Sequence, residues 1–323
     1  MQERSPPKSS TRASAERTPR PGSSAPTIAL FVEDGGGDWH ARRLARALEA
    51  RGARVVTTAL KFCAFDTATP SGLDIPGLGG ALPDGAFVRA VSTGTLEQIT
   101  LRLGILHALR ESGVRVWNDA RAIERCVDKS TAPFLLKKAG LPTPVTRAAE
   151  GAMAADAFRR RVGGRTLVLK PLFGSQGNGV RRLQPDEALP APDEIGNVYY
   201  LQEYLRAPGD TSFEDWRIFV SRGRVLGAMV RRSKSWVTNM HQGAEAVPLV
   251  PDAETQAMAL AATAAVGADY AGVDLIRASD GRLLVLEVNS NPAWKGLQSV
   301  VDVEIAEALA ADFLDTLGHV EHP

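Results

Sequence analysis

Residues Gly272–Pro292 read GVDLIRASDGRLLVLEVNSNP. Two apolar runs flank Asp280-Gly281, a dipeptide favoured in two-residue hairpin turns. With that turn closing the hairpin, Asp274 lies directly opposite Glu287. Asn289, two residues further on, shares the face because strand side chains alternate. Three oxygen donors thus converge on one side of an otherwise aliphatic hairpin. Two bare carboxylates side by side repel each other. A hard cation removes that penalty, and Mg²⁺ takes oxygen ligands, commonly carboxylates together with nucleotide phosphates. The alternative is structural: one carboxylate pairs with an arginine, since a charge on a half-buried strand needs a partner.

Upstream, Thr166–Lys170 (TLVLK) reads as a strand that ends in a lysine, and GSQGNG follows at Gly174–Gly179. Glycines let backbone N–H groups approach phosphate oxygens closely, and a strand-end lysine supplies a point charge to the same phosphates. A glycine-rich turn with no ligand is the competing reading. The segment is neither a Walker A loop nor a dinucleotide fingerprint. Gly35–Gly37, between a strand and a helix, is read as a turn lining a substrate cleft.

The remaining pattern is α/β. Thr27–Val32 is a short apolar run suited to a buried parallel strand. A helix over Trp39–Arg51, a strand over Val55–Leu60, a Gly/Pro-rich loop over Thr67–Asp84, a strand over Ala86–Val91, a helix over Leu96–Glu111 and a strand over Val114–Trp117 complete a doubly wound domain. Ala120–Gly140 reads as one helix, halted by Gly140 and the prolines after it. Tyr199–Tyr204, Arg217–Val220 and Val225–Val230 read as strands, with helices over Thr255–Val266 and Val301–Leu317. The expected divisions are a disordered tail at 1–25, an N-terminal α/β domain at 26–117, a central subdomain at 118–200 and a C-terminal subdomain with the metal site at 201–323.

Composition sets outer bounds. The chain has 323 residues, 44% hydrophobic and 23% charged, which suits a globular protein of two or three lobes. A formal net charge of +1 gives no global field towards nucleic acid or membrane. The 2 cysteines make neither a disulfide framework nor a zinc site and fit reduced thiols in a cytoplasmic protein. Residues 1–25 hold no large apolar residue after Met1 and lack a signal-peptide core, hence the expectation of a tail.

Taken in order, the motifs Asn118-Asp119, Asp128-Lys129-Ser130, VLKPLFGSQGNGV, LQEYL, EDWRIFV, MVRRSKSWVTNMHQGA, AGVDLIR and LEVNSNP resemble the RimK-type branch of the ATP-grasp superfamily. The resemblance implies an α/β ATP-grasp fold preceded by a small α/β (pre-ATP-grasp) domain, and the cofactors ATP and Mg²⁺, with two ions and Mn²⁺ as a substitute. It implies that Lys129 and Lys170 touch ATP phosphates. Gly174, Ser175, Gln176, Gly177 and Gly179 belong to the mobile loop that closes over them. Gln202, Glu203, Tyr204 and Leu205 form the adenine hinge, with Glu203 and the adjacent backbone reading the base edge. Asp215 is an acidic residue on the nucleotide side, and Asn239 lies near the phosphates. Arg217, Arg231 and Arg232 are basic positions for substrate carboxylate or phosphate charge. Arg217 and Arg231 are the catalytic candidates, because adjacent strand residues face opposite ways and Arg232 cannot share the duty of Arg231. Asp274, Glu287 and Asn289 match the Mg²⁺ ligands. One departure stands out: the segment between Arg232 and Asn239 is shorter than in ribosomal-protein-modifying members. It holds Trp236, and Val237 stands where those carry a basic residue.

The activity so implied is carboxylate–amine ligation through an acyl phosphate, with glutamate added to a small-molecule acid. The alternatives are a protein C-terminus as acceptor, as on a ribosomal protein, or an ATP-binding module without turnover. No nucleic acid or membrane partner is expected, and a homo-oligomer is compatible with the sequence.

Overall fold

The computed structural model describes residues 25–34, 38–174, 179–206, 212–240 and 243–317. The expected tail except Ala25, the Gly35–Gly37 turn and loop residues Ser175, Gln176 and Gly177 lie outside them. Three sheets dominate.

The first sheet is parallel, in the order β2-β1-β5-β6, from β1 (Thr27–Phe31), β2 (Arg54–Thr58), β5 (Gly85–Val88) and β6 (Arg115–Trp117). Ile28–Phe31 are fully buried, as a central parallel strand covered on both faces must be. Helices α1 (Trp39–Ala50) and α2 (Leu96–Glu111) flank it. Asp38 caps α1 by accepting from the Ala41 N–H, and Thr95 with Gln98 forms a capping box on α2. Two minimal strands, β3 (Ala64–Phe65) and β4 (Leu73–Asp74), pair within and beside the expected 67–84 loop.

The expected single helix over 120–140 is two, α3 (Ala120–Val127) and α4 (Thr131–Lys138). The break has a local cause. The Asp128 carboxylate accepts from the Ser130 N–H at 2.8 Å, from Ser130 Oγ at 2.6 Å and from Thr131 Oγ1 at 2.5 Å. Aspartate competes with helix continuation in this way because its side chain reaches nearby donors.

The second sheet, β7-β10-β8-β9, is antiparallel and comprises β7 (Thr146–Glu150), β8 (Leu167–Lys170), β9 (Arg181–Leu183) and β10 (Val198–Glu203), backed by α5 (Ala152–Arg161). The third, β13-β12-β11-β14-β15, comprises β11 (Phe213–Ser221), β12 (Arg224–Ser233), β13 (Glu245–Pro248), β14 (Tyr270–Arg277) and β15 (Leu283–Asn289). Helix α6 (Ala253–Val266), capped by Asp252 and closed by Gly267 at φ +74°, covers it. A short α7 (Lys295–Gln298) and α8 (Ile305–Leu317) follow.

Packing crosses the divisions read from the sequence. Cys126 of α3 and Leu136 of α4 bury with Ile218, Val273 and Val285 of the third sheet, although they precede the second sheet in sequence. Helix α8 returns to the first sheet, where Phe313 meets Phe87 and Trp117 with ring centroids 5.3 and 5.7 Å away. A shared core including Phe219, Tyr270 and Trp294 binds the first and third sheets together.

Candidate active site

The β14–β15 hairpin brings Asp274 opposite Glu287, but not through the expected turn. Its loop has three residues, Ser279–Gly281, closed by Ala278 N–H to Arg282 O at 2.9 Å, with Gly281 at φ +86°. That loop alone would slip the register by one. Leu275 faces Val285, and Leu286 is then bulged out before Asp274 meets Glu287. A longer turn and a bulge therefore cancel, and the carboxylates face each other as the two-residue turn would have had them.

The picture of two bare carboxylates is corrected. Asp274 sits in a buried four-charge cluster spread over three neighbouring strands. Arg217 donates to it through Nε and through Nη2, the latter at 2.8 Å, and Arg231 Nη2 donates at 2.8 Å. Arg231 also holds Asp215 through Nε and Nη2, both at 2.6 Å, and Thr238 Oγ1 donates to Asp215 at 2.6 Å. Cross-strand register produces this: Arg217 pairs with Asp274, and Asp215 with Arg231. Burial raises the Asp274 carboxyl, but the two guanidinium groups outweigh it and hold the group below the usual range. Both arginines engage by their Nε–Nη2 edge, and neither Nη1 has a hydrogen bond within the described residues. Arg232 faces away and pairs with Glu214 at 2.5 Å.

Glu287 is different. It makes no side-chain hydrogen bond or ion pair among the described residues, and it lines a small cavity of about 20 Å³ with Lys129, Lys170, Tyr200 and Cys126. Lys129 comes from the α3–α4 break, Lys170 from the end of β8 and Glu287 from β15, so all three sheets' neighbourhoods but the first contribute. Burial lowers the pKa of both lysines, and the Glu287 charge works against it. Lys129 Nζ donates to Gly174 O at 2.6 Å, which ties it to the first residue of the glycine loop. Lys170 Nζ donates to Gln202 Oε1 at 2.8 Å, and Gln202 is itself fixed by Thr146 and Tyr200. Gln202 thus orients a lysine and is spent on that contact. Burial, helped by Glu287, pushes the Cys126 thiol up to about 12, which disfavours the thiolate.

At the hinge expected to read a base edge, Glu203 and its neighbours are engaged within the chain. The Glu203 carboxylate is paired with Arg165, its N–H donates to Val145 O at 2.9 Å, and the Tyr204 N–H donates to Thr166 O at 3.1 Å. The Leu205 carbonyl accepts from Ser279 N–H at 3.3 Å, which fastens the hinge to the loop of the β14–β15 hairpin. Tyr204 instead joins Trp236 edge-on at 5.9 Å, and the Arg182 guanidinium lies 5.5 Å from the Tyr204 ring and 5.9 Å from the Trp236 ring. Gly179, at φ +72°, adopts the left-handed conformation beside Pro171 that closes the glycine loop. The Asn239 carbonyl accepts from Ala244 N–H at 3.2 Å. Tyr200, Thr146 and Thr238 were not legible as site residues. Period-two alternation from Gln202 would have reached Tyr200, but the threonines carry no sequence signal.

The donor set fits a hard cation in part. Asn289 Nδ2 is used by Gly272 O at 3.2 Å, which leaves its amide oxygen as a donor. Asp274 Oδ2 is crowded by guanidinium N–H groups, while Oδ1 takes Arg217 Nε alone. Glu287 is open. Among the described residues no three His, Cys, Asp or Glu side chains cluster as a ready-made metal cage, which is usual where nucleotide phosphates complete the shell.

Comparison with known proteins agrees with this arrangement. A family model described as the RimK-like ATP-grasp domain matches residues 126–313. A tetrahydromethanopterin:alpha-L-glutamate ligase of Methanococcus maripaludis is 36% identical over 240 residues, covering 71% of this chain and 78% of its own. One of the same name from Methanosarcina acetivorans is 31% identical over 257 residues, covering 69% and 78%. The ATP-grasp ligase PsnB, solved with minimal precursor, Mg and ADP, superposes with a TM-score of 0.68 at 21% identity, covering 90% of this chain and 97% of that one. With the family model spanning the second and third sheets, the chain belongs to the RimK-like ATP-grasp family and is an ATP-dependent ligase.

Proposed function

We propose that the chain joins the α-amine of L-glutamate to a carboxylate of a small-molecule acid, with ATP cleaved to ADP and phosphate. The observation that carries the ligase chemistry is the convergence of Lys129, Lys170 and Glu287 from three separate elements on one cavity. Phosphoryl transfer needs charge neutralisation and alignment more than a covalent nucleophile. The lysines would take phosphate charge. Glu287, with Asn289 and the open side of Asp274, would hold Mg²⁺, and two ions are proposed; the cation supplies further neutralisation of phosphate charge. The acceptor carboxylate would meet the free Nη1 edges of Arg217 and Arg231, which their aspartate partners hold in orientation. The acyl phosphate so formed passes its carbonyl to the glutamate amine, and phosphate leaves.

The glutamate and small-acceptor parts rest on the relatives at 31–36% identity, which act on glutamate by name. No helix among the described residues is long and apolar enough to cross a membrane, and both cysteines are buried and free, in keeping with a cytoplasmic setting. ADP release is to be measured with single amino acids against a small-molecule extract, with mass spectrometry of new amides and labelled glutamate. Glutamate on an extract metabolite is the expected result. Label on a protein C-terminus alone overturns the small acceptor, and turnover with another amino acid while glutamate is inert overturns the donor.

A further inference from the structure

The first sheet has its own crevice. Chain order leaves β1 for β2 on one side and returns to β5 on the other, so the strand order reverses between β1 and β5. In open parallel sheets ligands bind outside the carboxyl ends of the strands at such a reversal. Arg89 stands at the carboxyl end of β5, its N–H bonded to Phe31 O of β1 at 2.8 Å.

The Arg89 guanidinium is held by neutral groups. Nη1 donates to Tyr270 Oη at 3.3 Å, Nη2 donates to Pro292 O at 3.2 Å, and the cation lies 4.6 Å from the centroid of the buried Trp294 ring. Of the five N–H groups an arginine carries, the rest lack partners within the described residues, and Nε is buried without one. Most arginines that reach between elements here, such as Arg115, Arg217, Arg224 and Arg231, meet a carboxylate. Arg89 meets none. The nearby Asp38 feels its charge but is spent on His40 Nδ1 and the α1 N-terminus.

The surroundings are built rather than loose. Asn291, with its amide nitrogen towards Val88 O at 2.9 Å, Ser290 O and Tyr270 Oη, ties the post-β15 segment to the end of β5. Buried Arg102 donates from Nη1 to the carbonyls of Val91, Ser92 and Thr93, and Ser92 takes φ +64°, a region that non-glycine residues seldom enter. The crevice also adjoins the reactive centre. A Cβ on Gly272 would stand 2.8 Å from Pro292 Cβ and 3.0 Å from Arg217 Cδ. The residue whose carbonyl holds Arg89 and the arginine paired to Asp274 therefore flank one glycine.

We propose that Arg89 anchors a non-reacting carboxylate of the amino acid substrate at this crevice, a specificity contact that rests on the amino acid ligase reading above. A half-buried guanidinium whose hydrogen-bond partners among the described residues are all neutral, and whose Nε is buried without one, favours an anion over a neutral isostere. A dicarboxylic amino acid that attacks through its amine keeps its carboxylates unreacted, so one can remain on the arginine throughout.

The test is calorimetric titration of the full chain, with Mg²⁺ and a non-hydrolysable ATP analogue, by L-glutamate, L-glutamine and L-isoglutamine. Wild type, Arg89→Gln and Arg89→Lys are compared, with analogue affinity as the check on folding. In the wild type one of the two amides should bind at least about tenfold more weakly than glutamate, roughly 1.4 kcal/mol. Arg89→Gln should lose as much on glutamate and no longer distinguish it from that amide, while Arg89→Lys keeps part of the preference. A variant that binds the nucleotide analogue normally and still prefers glutamate by the wild-type factor overturns the assignment, as does a wild type indifferent to both amides. If glutamate is inert but another amino acid binds, glutamate fails as donor, and the same comparison with that acid and its amide decides Arg89. Binding of no amino acid by the wild type overturns both.

Discussion

Replacing Arg231 by Met tests the buried cluster most directly. Asp215, Arg217, Arg231 and Asp274 carry two charges of each sign, and each is at most 8% exposed. Methionine keeps much of the side-chain length but leaves two carboxylates facing one guanidinium. Summing the three hydrogen bonds of Arg231, at 2.6, 2.6 and 2.8 Å, at about 1.5–3 kcal/mol each would give about 5–9 kcal/mol. That sum is too large, because the bonds share atoms and the unfolded arginine regains its hydration. Removing one partner of a buried pair costs about 3–5 kcal/mol, chiefly as the uncompensated charge left behind. Adding Asp215→Asn restores a one-to-one balance between Arg217 and Asp274. The double variant should therefore be more stable than the sum of the single changes predicts, by about 1 kcal/mol or more. Urea unfolding followed by far-UV circular dichroism and by tryptophan fluorescence gives both quantities. A single-variant cost below about 1 kcal/mol, or strict additivity, would refute the idea that these charges depend on one another.

Three further outcomes follow from the geometry. Glu287→Gln keeps volume but removes the only carboxylate among the described residues lining the lysine cavity; ADP formation should fall at least about 100-fold, or about 2.7 kcal/mol, with an unchanged circular dichroism spectrum, and wild-type turnover at saturating Mg²⁺ would reject the site. Phe313→Ala deletes a fully buried ring packed on Phe87 and Trp117 and should cost about 3–5 kcal/mol; a denaturation midpoint unmoved from wild type would show that α8 does not clamp the first sheet. Asp38→Asn removes a carboxyl whose pKa His40 and the α1 N-terminus depress. The stability this carboxylate contributes is present above the unfolded carboxyl pKa of about 3.9 and fades as pH falls towards the folded value. The variant should be less stable than wild type at neutral pH, with the gap closing in acid, and a pH-independent gap would contradict this.

Much of the site was legible because its residues sit at chain positions with strong local grammar. Lys170 ends an apolar run, the glycine loop follows at once, and Asp274 and Glu287 interrupt aliphatic strands where a charge demands a reason. The opposed directions of Arg231 and Arg232 follow from strand period alone and hold in the structure. The turn and bulge of the β14–β15 hairpin were not legible, since a three-residue loop and a slipped residue leave the same alternation at the ends. Their cancellation is a matter of register, which packing against β11 settles. The break at Asp128–Ser130 was missed because helical periodicity continues through it, while the competing hydrogen bonds depend on the rotamers of three polar side chains.

By itself the sequence determined the α/β class, the parallel first sheet with its helices, a lysine ending β8 and the acidic hairpin, because each rests on periodicity, turn chemistry or residue type within a few neighbours. Only the tertiary structure decided what those groups are bonded to. It gave Asp274 two arginines, engaged Gln202 with Lys170 and Glu203 with Arg165, folded α8 back onto the first sheet, and, among the described residues, left Glu287 open and Arg89 without a carboxylate. Partnership of a buried charge depends on which distant strands lie side by side, and the energy of that pairing belongs to the assembled sheet rather than to any one segment of chain.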